Sequence, residues 1–188
     1  MWSNQASAEE RQLIKKAAAG DKNAFGDLYV AYLQPIYRYI YYRVGQKEEA
    51  EDLTELVFLK VWEALDGYEQ RGIPFKAWLY RIAHNAVVDN YRTQKDTVAL
   101  ESQWSLEDGG QGPEATAMAN EREELLRQAL LTLDPDYQEI LVLRFVAGLS
   151  HADVAVAMGR SEGAVRALQY RALGALRDSY AQQQQNII

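Results

Sequence analysis

Arginine and asparagine side chains recur along one face of the helix predicted for residues 75–92, FKAWLYRIAHNAVVDNYR. At about 100° per residue, a stripe only about 60° wide contains Arg81, Asn85, Val88 and Arg92. Arginine can hold a phosphate, and the asparagine amide can both donate to and accept from a base edge. The opposite stripe is apolar and predicts a core face, with Trp78 on its flank. The pattern therefore predicts a nucleic-acid-binding helix, to which the aromatic and basic cluster at residues 41–43 could add.

A second basic surface is predicted in GLSHADVAVAMGRSEGAVRALQYRALGALR, near the C-terminus. Ser150 starts one helix with a capping box, Gly159 can end it in the left-handed conformation, and Ser161 caps the next helix. Two short helices joined in this way are typical of a helix-turn-helix that enters the DNA major groove. An ordinary helical hairpin with solvated arginines is the alternative, but the small outward residues Gly163 and Ala167 favour close approach to DNA.

A third segment, EEAEDLTELVFLKVWEAL, combines an apolar surface with acids. Its apolar residues are more numerous than one small domain usually needs, and Asp52, Glu55 and Glu63 lie beside them. Because carboxylates repel phosphate, we expect the exposed part of this helix to contact a protein. A core helix with a solvated acidic face explains the same pattern equally well.

Charge and composition exclude several classes of function. The chain has 188 residues, a formal net charge of −7, no cysteine and two histidines outside any ligand-spaced motif. Disulfides and thiolate metal sites are excluded, we expect no metal site, and no nucleophile–base pair or phosphate loop suggests an enzyme. Residues 75–95 and 160–177 are basic within this acidic protein, which argues against indiscriminate DNA binding. No signal peptide or membrane-spanning run is evident, so we expect a cytoplasmic protein without membrane insertion.

The organisation along the chain predicts an all-α fold, because apolar spacing near 3.6 residues dominates and prolines are few. Helices are predicted over about residues 8–19, 22–44, 47–65, 117–132 and 137–147. Pro35 should kink or divide the second. Residues 96–116 lose the periodicity and gain Gly, Pro, Ser and acid, which is a linker composition. We therefore expect two small helical domains, 1–95 and 117–188, each with its own core, joined by an acidic flexible linker.

Taken in their order along the chain, these three segments resemble the sigma-70 superfamily of bacterial transcription initiation factors, in particular the small extracytoplasmic-function (ECF) type. AEDLTELVFLKVWEAL resembles that family's core-polymerase-binding helix, and FKAWLYRIAHNAVVDNYR resembles its −10 recognition helix. LTLDPDYQEILVLRFVAGLSHADVAVAMGRSEGAVRALQYRALGALR resembles its −35-binding domain. The resemblance covers roughly residues 8–92 and 120–178, and three motifs with this spacing are much more specific than one.

The resemblance implies a non-enzymatic factor that needs no cofactor, joins core RNA polymerase at the clamp helices of its largest subunit and at the flap, and helps to melt promoter DNA. It also implies an anti-sigma factor as a partner. Polymerase contacts would involve Asp52, Leu56, Val57 and Phe58. The −10 strand would contact Arg81, Asn85, Val88 and Arg92, with a flipped base held by the loop Asp66, Gly67, Tyr68, Glu69, Gln70, Arg71, Gly72, Ile73 and Pro74. The −35 groove would contact Arg160, Ser161, Gly163, Arg166, Ala167, Tyr170 and Arg171.

The recognition helix departs from the family at several positions. Ala167 and Leu168 stand where the family often has a Ser-Arg pair, and Leu173 replaces a basic residue, so the resemblance does not give the −35 sequence. A stand-alone helix-turn-helix regulator is an alternative that explains residues 148–177 but leaves the acidic-apolar helix without a role. A helical protein-interaction adaptor is another, which explains the acidity but not the two basic helices.

Overall fold

The computed structural model describes residues 8–68, 72–98 and 124–185, with side chains described as far as residue 93 in the second range and residue 183 in the third. Helices and short turns make up these ranges, and no β-strand occurs within them, so the predicted all-α class is confirmed. Loop residues 69–71 and most of the predicted linker, 99–116, lie outside the described residues. None of the described helices combines the length and apolarity needed to cross a membrane.

Four helices form the N-terminal half: α1 (Ala8–Ala18), α2 (Lys22–Val44), α3 (Lys47–Ala64) and α4 (Phe75–Val98). The Asp21 carboxylate starts α2 by accepting hydrogen bonds from the backbone N–H groups of Asn23 (2.9 Å) and Ala24 (3.2 Å). Gly45 ends the helix at φ +82°, in the left-handed region that favours glycine. These local signals explain why the predicted limits of α2 agree with the observed ones.

Helix α2 continues through Pro35 as one element of 23 residues, so the proline does not divide it, and the expected kink stays a prediction. Ile36, Tyr39 and Ile40 follow the proline and are fully buried. Their packing outweighs the backbone hydrogen bond that a proline removes, which costs about 3 kcal/mol. Helices α3 and α4 supply the other core residues of this half, including Val57, Val61, Leu79, Ala83 and Val87.

The C-terminal half contains α5 (residues 124–131), α6 (Pro135–Leu141), a π-helical turn (Val142–Val146), α7 (His151–Met158) and α8 (Glu162–Gln185). The π-turn directly continues α6, and its Ala147 backbone N–H bonds to the Val142 carbonyl, five residues earlier, at 2.9 Å. Sequence periodicity predicted an ordinary helix here. Arg144, within the turn, donates to the Leu149 carbonyl and, at 3.1 Å, to Gln169 Oε1 on α8. The turn is thus tied to α8 and to the segment that leads into α7.

The two halves pack against each other and share a continuous core, which the prediction of two tethered domains did not include. Helix α4 lies along α7, and Lys76 Nζ on α4 donates to the Ala147 carbonyl at 2.9 Å. Arg127 on α5 donates to the Gly45 carbonyl at 2.9 Å, and its guanidinium lies 5.5 Å from the Tyr41 ring centroid. The interface therefore combines apolar packing with specific polar contacts.

A buried polar group, here called the Glu139 cluster (Tyr39, Arg43, His84 and Glu139), joins the halves. Glu139 on α6 is 1% exposed and accepts a hydrogen bond of 2.7 Å from the Tyr39 hydroxyl. Arg43 Nε lies 3.0 Å from Glu139 Oε2, which makes an ion pair, and His84 Nδ1 lies 3.2 Å from Oε1; neither pair has hydrogen-bond geometry. Arg43 also donates to the Pro135 carbonyl at 2.9 Å. Burial is the largest single effect and raises the pKa of the Glu139 carboxyl, but the Arg43 charge and the contacts with His84 and Tyr39 together outweigh it and leave this pKa below its ordinary value.

Candidate functional site

The polar stripe of α4 lies on the surface, as its spacing predicts. Arg81, Asn85 and Arg92 are exposed and Val88 is half-buried, while Phe75, Leu79, Ala83 and Ala86 on the opposite side are buried. Among the described residues, Arg81 and Asn85 have no side-chain hydrogen bond or ion pair. Arg92 has only a loose contact, with its Nη1 4.0 Å from the Asp89 carboxylate. The stripe is therefore brought together by one helix and is free to meet a ligand.

The loop before α4 lies against an aromatic cluster. The Tyr68 ring centroid is 4.9 Å from that of Trp78 and 5.5 Å from that of Phe75. The Tyr68 hydroxyl donates to the Ile73 carbonyl at 2.8 Å, which holds the two sides of the loop together. Gly72 adopts φ +100°. Trp78 is half-buried, as expected of a core residue with one accessible edge. Of the predicted loop, Glu69, Gln70 and Arg71 lie outside the described residues.

Three aromatic or basic side chains that could have faced DNA are buried inside the protein. Tyr80 is fully buried, with its ring 5.4 Å from that of Tyr39, so it cannot stack on a base in this structure. Arg43 and Tyr42 are also buried, and Arg43 contacts Glu139 instead of a surface. The idea that the 41–43 cluster faces DNA is wrong for this conformation, because Tyr42 is buried and Arg43 is paired with Glu139 from the C-terminal half.

The outer face of α3 presents an apolar row between acids. Leu56, Leu59 and Trp62 are among the exposed large apolar side chains, and Leu59 is 53% exposed. Asp52, Glu55 and Glu63 are exposed beside them. The Trp62 ring packs edge-on against Phe25, with centroids 4.8 Å apart, so this row is anchored to α2. Such a surface suits a protein partner better than a nucleic acid.

The four residues expected at a polymerase contact divide into two groups. Asp52 and Leu56 are on the exposed face, whereas Val57 (0% exposed) and Phe58 (6%) are buried in the core, where Phe58 packs edge-on against Tyr29 with centroids 4.7 Å apart. The structure does not bring all four onto one surface. Leu59 completes the exposed row in their place, and its helical spacing of three from Leu56 is the signal that could have identified it.

The helix-turn-helix has the caps predicted for it. Ser150 and Asp153 form a capping box, Gly159 ends α7 at φ +63°, and Ser161 Oγ accepts from the Ala164 backbone N–H at 3.2 Å. All seven predicted −35 residues are exposed: Arg160, Ser161, Gly163, Arg166, Ala167, Tyr170 and Arg171. The inward side chains Val165, Leu168 and Ala172 are buried.

The recognition face of α8 is partly paired with acids. Arg160 contacts Asp136 and Arg166 contacts Glu162, both on the surface. Tyr170 is 83% exposed at the centre of the face. Sequence reasoning did not identify Gln169, whose Oε1 lies 2.9 Å from His151 Nε2 on α7. This contact joins α8 to α7, and the bond from Arg144 to the same oxygen joins α8 to the π-turn.

Comparisons with known proteins identify the family of two regions of the chain. Residues 28–97 match the family described as Sigma-70 region 2, and residues 123–176 match Sigma-70, region 4. The chain is 39% identical over 172 residues to the ECF RNA polymerase sigma factor BldN of Streptomyces coelicolor, covering 90% of this chain and 65% of that protein's length. It is 36% identical over 175 residues to the ECF RNA polymerase sigma factor SigD of Mycobacterium tuberculosis, covering 88% of this chain and 81% of SigD.

Two solved structures of other proteins have a fold similar to that of this chain. The structure of CnrH in complex with the cytosolic domain of CnrY aligns with a TM-score of 0.69 at 26% identity, over 89% of this chain and 94% of that one. The sigma factor RpoE of Bartonella quintana, solved with the anti-sigma factor NepR, has a TM-score of 0.66 at 21% identity over 82% of this chain and 95% of its own. Together with the two matched regions, these relatives show that the chain belongs to the ECF sigma factors of the sigma-70 family.

Proposed function

We propose that this transcription initiation factor divides its work among three surfaces. The outer face of α3 binds core RNA polymerase at the clamp helices, α4 with its preceding loop reads the −10 element, and the N-terminal part of α8 reads the −35 element. The observation that carries the proposal is the exposed, unbonded pair Arg81 and Asn85 within the sequence that matches Sigma-70 region 2. The factor itself catalyses no reaction and needs no cofactor.

The dimensions of the α4 stripe suit a single DNA strand. From Arg81 to Arg92 the helix rises about 16 Å, which is the length of about five stacked nucleotides. Arg81 and Arg92 can hold phosphates near the ends of this span, while the Asn85 amide between them can bond to a base edge. Val88 adds an apolar contact. A base flipped from the duplex would enter the loop of residues 66–74, beside the rings of Tyr68 and Trp78.

The −35 proposal is supported by small residues on α8. Gly163 and Ala167 let the backbone approach the floor of the major groove, and the exposed Tyr170 on the same side of the helix can contact a base or a thymine methyl group. Arg166 and Arg171 would contact phosphates. Because Arg166 is paired only with the exposed Glu162, exchanging this carboxylate for a phosphate costs little.

Partners of the relatives suggest one further partner for this chain. RpoE of Bartonella quintana was solved with an anti-sigma factor, and CnrH was solved with the cytosolic domain of CnrY. We propose that an anti-sigma factor also binds this chain. The same proposal places the protein in the cytoplasm, where polymerase and DNA meet. It also implies an additional contact between the C-terminal half and the polymerase flap.

Run-off transcription with purified core polymerase tests the function. The template library should vary both the −10 and −35 sequences and their spacing. We expect transcripts from a defined subset of promoters only when the factor is added. If no template gives a promoter-dependent transcript, the proposal is wrong. Tight duplex binding by the chain alone at physiological salt, without stimulation of polymerase, would instead support a stand-alone helix-turn-helix regulator.

A further inference from the structure

A carboxylate lies on the inward face of α1, where helix periodicity would favour an apolar residue. Glu10 precedes the buried Ile14 by four positions, so both side chains lie on the side of α1 that packs against α2. The hydroxyl of Tyr32 on α2 donates a hydrogen bond to Glu10 Oε1. Burial, followed by this bond, raises the pKa of Tyr32 above its ordinary value, so the hydroxyl keeps its proton and stays the donor. Tyr32 is therefore anchored by a residue of another helix.

The ring of Tyr32 extends this connection to the start of α4. Its centroid lies 5.5 Å from that of Phe75, the first residue of α4, and the two rings meet edge to face. Phe75 is 4% exposed and contacts two half-buried rings, with centroid distances of 5.5 Å to Tyr68 and 5.6 Å to Trp78. These three residues, here called the aromatic wall (Tyr68, Phe75 and Trp78), flank the loop that precedes α4. Tyr32 thus supports the wall from inside the protein.

The charge of Glu10 also reaches this loop. Burial, and after it the Glu10 charge, raise the pKa of the Tyr68 hydroxyl above its ordinary value, so the carboxylate lies near the wall as well as near Tyr32. The Tyr68 hydroxyl in turn donates to the Ile73 carbonyl at 2.8 Å, across the loop. The carboxylate, the wall and the bond that closes the loop therefore belong to one connected group of contacts.

The hydrogen bond gives this group a fixed point. An edge-on ring contact leaves each ring some freedom to slide, whereas a hydrogen bond to a charged group fixes the position of the hydroxyl. If the acceptor is lost, the half-buried Tyr32 ring must move to regain a partner, because an unsatisfied buried hydroxyl is unfavourable. Phe75 lies against that ring and would move with it. Rings that receive a base must be in place beforehand, since a displacement of about 1 Å can cost up to about 100-fold.

We propose that Glu10 and Tyr32 are positioning residues for the capture of a flipped −10 base. Neither contacts the base. They act by holding Phe75, and through it Tyr68 and Trp78, in the arrangement against which a base can stack. The inference rests on the proposed function of the loop before α4. It extends that function to α1, a helix outside residues 28–97 and 123–176, the two ranges that match family models.

Fluorine NMR of the free chain tests the positioning without DNA. With 5-fluorotryptophan incorporated, the resonances of Trp78 and Trp62 are assigned by replacing each residue with phenylalanine. Trp62 packs against Phe25, also on α2, and serves as the internal control. Tyr32→Phe removes only the hydroxyl and should shift or broaden the Trp78 resonance while leaving that of Trp62 unchanged.

Two further variants show whether the bond itself is responsible. Tyr91→Phe removes another half-buried hydroxyl, one that donates to the Arg43 carbonyl, and this matched control should leave both resonances unchanged. Glu10→Leu removes the acceptor and should perturb the Trp78 resonance more than Tyr32→Phe does, because a hydroxyl without a partner then remains inside. Adding Tyr32→Phe to Glu10→Leu should therefore restore part of the native signal.

The complex with core polymerase tests base capture. Run-off transcription first identifies an active promoter, and its −10 element then serves as a single-stranded probe with an abasic site placed at each position in turn. With the native factor, the abasic site at the flipped position should weaken binding about 5- to 150-fold, the value of stacking one base. The Tyr32→Phe complex should bind that abasic probe as the native complex does but lose most of the preference for the intact probe. The Tyr91→Phe complex should keep the preference.

Each result supports or overturns the inference. A change confined to Trp78, together with a lost preference in the Tyr32→Phe complex, supports it. An unchanged Trp78 resonance in Tyr32→Phe, equal changes at Trp62 and Trp78, or a native preference in the Tyr32→Phe complex overturns it. A change confined to Trp78, while the native complex shows no preference at any position, supports the hold of Glu10 and Tyr32 on the wall and refutes the proposed function of the loop instead.

Discussion

Two asparagines on α4 allow the −10 proposal to be tested with identical substitutions. Asn85 is exposed and makes no side-chain bond among the described residues, whereas Asn90 is half-buried and donates to the Glu49 carboxylate. Asn85→Ala should therefore change the free energy of unfolding by no more than about 0.5 kcal/mol. Asn90→Ala removes a hydrogen bond to a charged group and should destabilise the protein by about 1.5–3 kcal/mol.

The effects on promoter opening should follow the opposite order. A lost bidentate base contact costs about 1–3 kcal/mol, so Asn85→Ala should slow open-complex formation about 5- to 150-fold. Asn90→Ala should open promoters at close to the native rate below its own melting temperature, because its amide faces α3. Both variants should bind core polymerase normally, since neither alters the exposed face of α3.

Three measurements separate these outcomes. Stopped-flow fluorescence of a base analogue in the −10 element gives the opening rate, anisotropy with labelled factor gives polymerase affinity, and thermal unfolding gives stability. A melting temperature lowered by about 2–4 °C per kcal/mol is expected for Asn90→Ala alone. If both variants slow opening equally, or if Asn85→Ala loses stability and polymerase affinity together, Asn85 has a structural role and the reasoning is wrong.

Other surfaces give shorter tests. Leu59→Ala should weaken polymerase binding by about 1 kcal/mol and leave the melting temperature unchanged, because about half of the leucine side chain is still exposed in the free protein. Phe58→Ala should instead lower the free energy of unfolding by about 3–5 kcal/mol. If anisotropy and thermal melting give the same result for both variants, the assignment of the exposed row is wrong. Tyr170→Ala should melt normally and bind −35-containing promoters about tenfold more weakly in filter binding, and a promoter-independent loss would oppose a base contact. Gly159→Ala, at φ +63°, should destabilise the chain by about 1–2 kcal/mol in denaturant unfolding; no loss would mean that the turn relaxes.

Local signals in the sequence were enough to predict most helices and the polar stripe. Asp21 and Gly45 mark the two ends of α2 through their own side-chain and backbone preferences, so no distant partner was needed. The spacing of Arg81, Asn85 and Arg92 depends only on helix geometry, and the structure places them on the exposed face. Which bases or partners these residues contact stays a prediction.

Contacts between distant segments could not be read from local patterns. Tyr39 and Glu139 are 100 positions apart, and a lone acid in PDYQEIL gives no sign that it will be buried beside an arginine. The same limit applies to Val57 and Phe58, because periodicity shows that α3 is apolar on much of its surface but not which part meets α2. The π-turn was missed since its residues read equally well as a regular helix.

That π-turn has a consequence for how this domain tolerates changes in length. A π-turn places one more residue in the helix than regular α-geometry would, so deleting any single residue of VLRFV should allow an ordinary helical turn to form. Because the extra residue is accommodated inside the turn, such a deletion should leave the orientation of α6 relative to α7 nearly unchanged and keep Glu139 beside Arg43. Natural variants of this chain that lack one residue here should therefore still carry an acid at the position of Glu139, whereas a deletion in the regular helix α6 itself would rotate that position by about 100°.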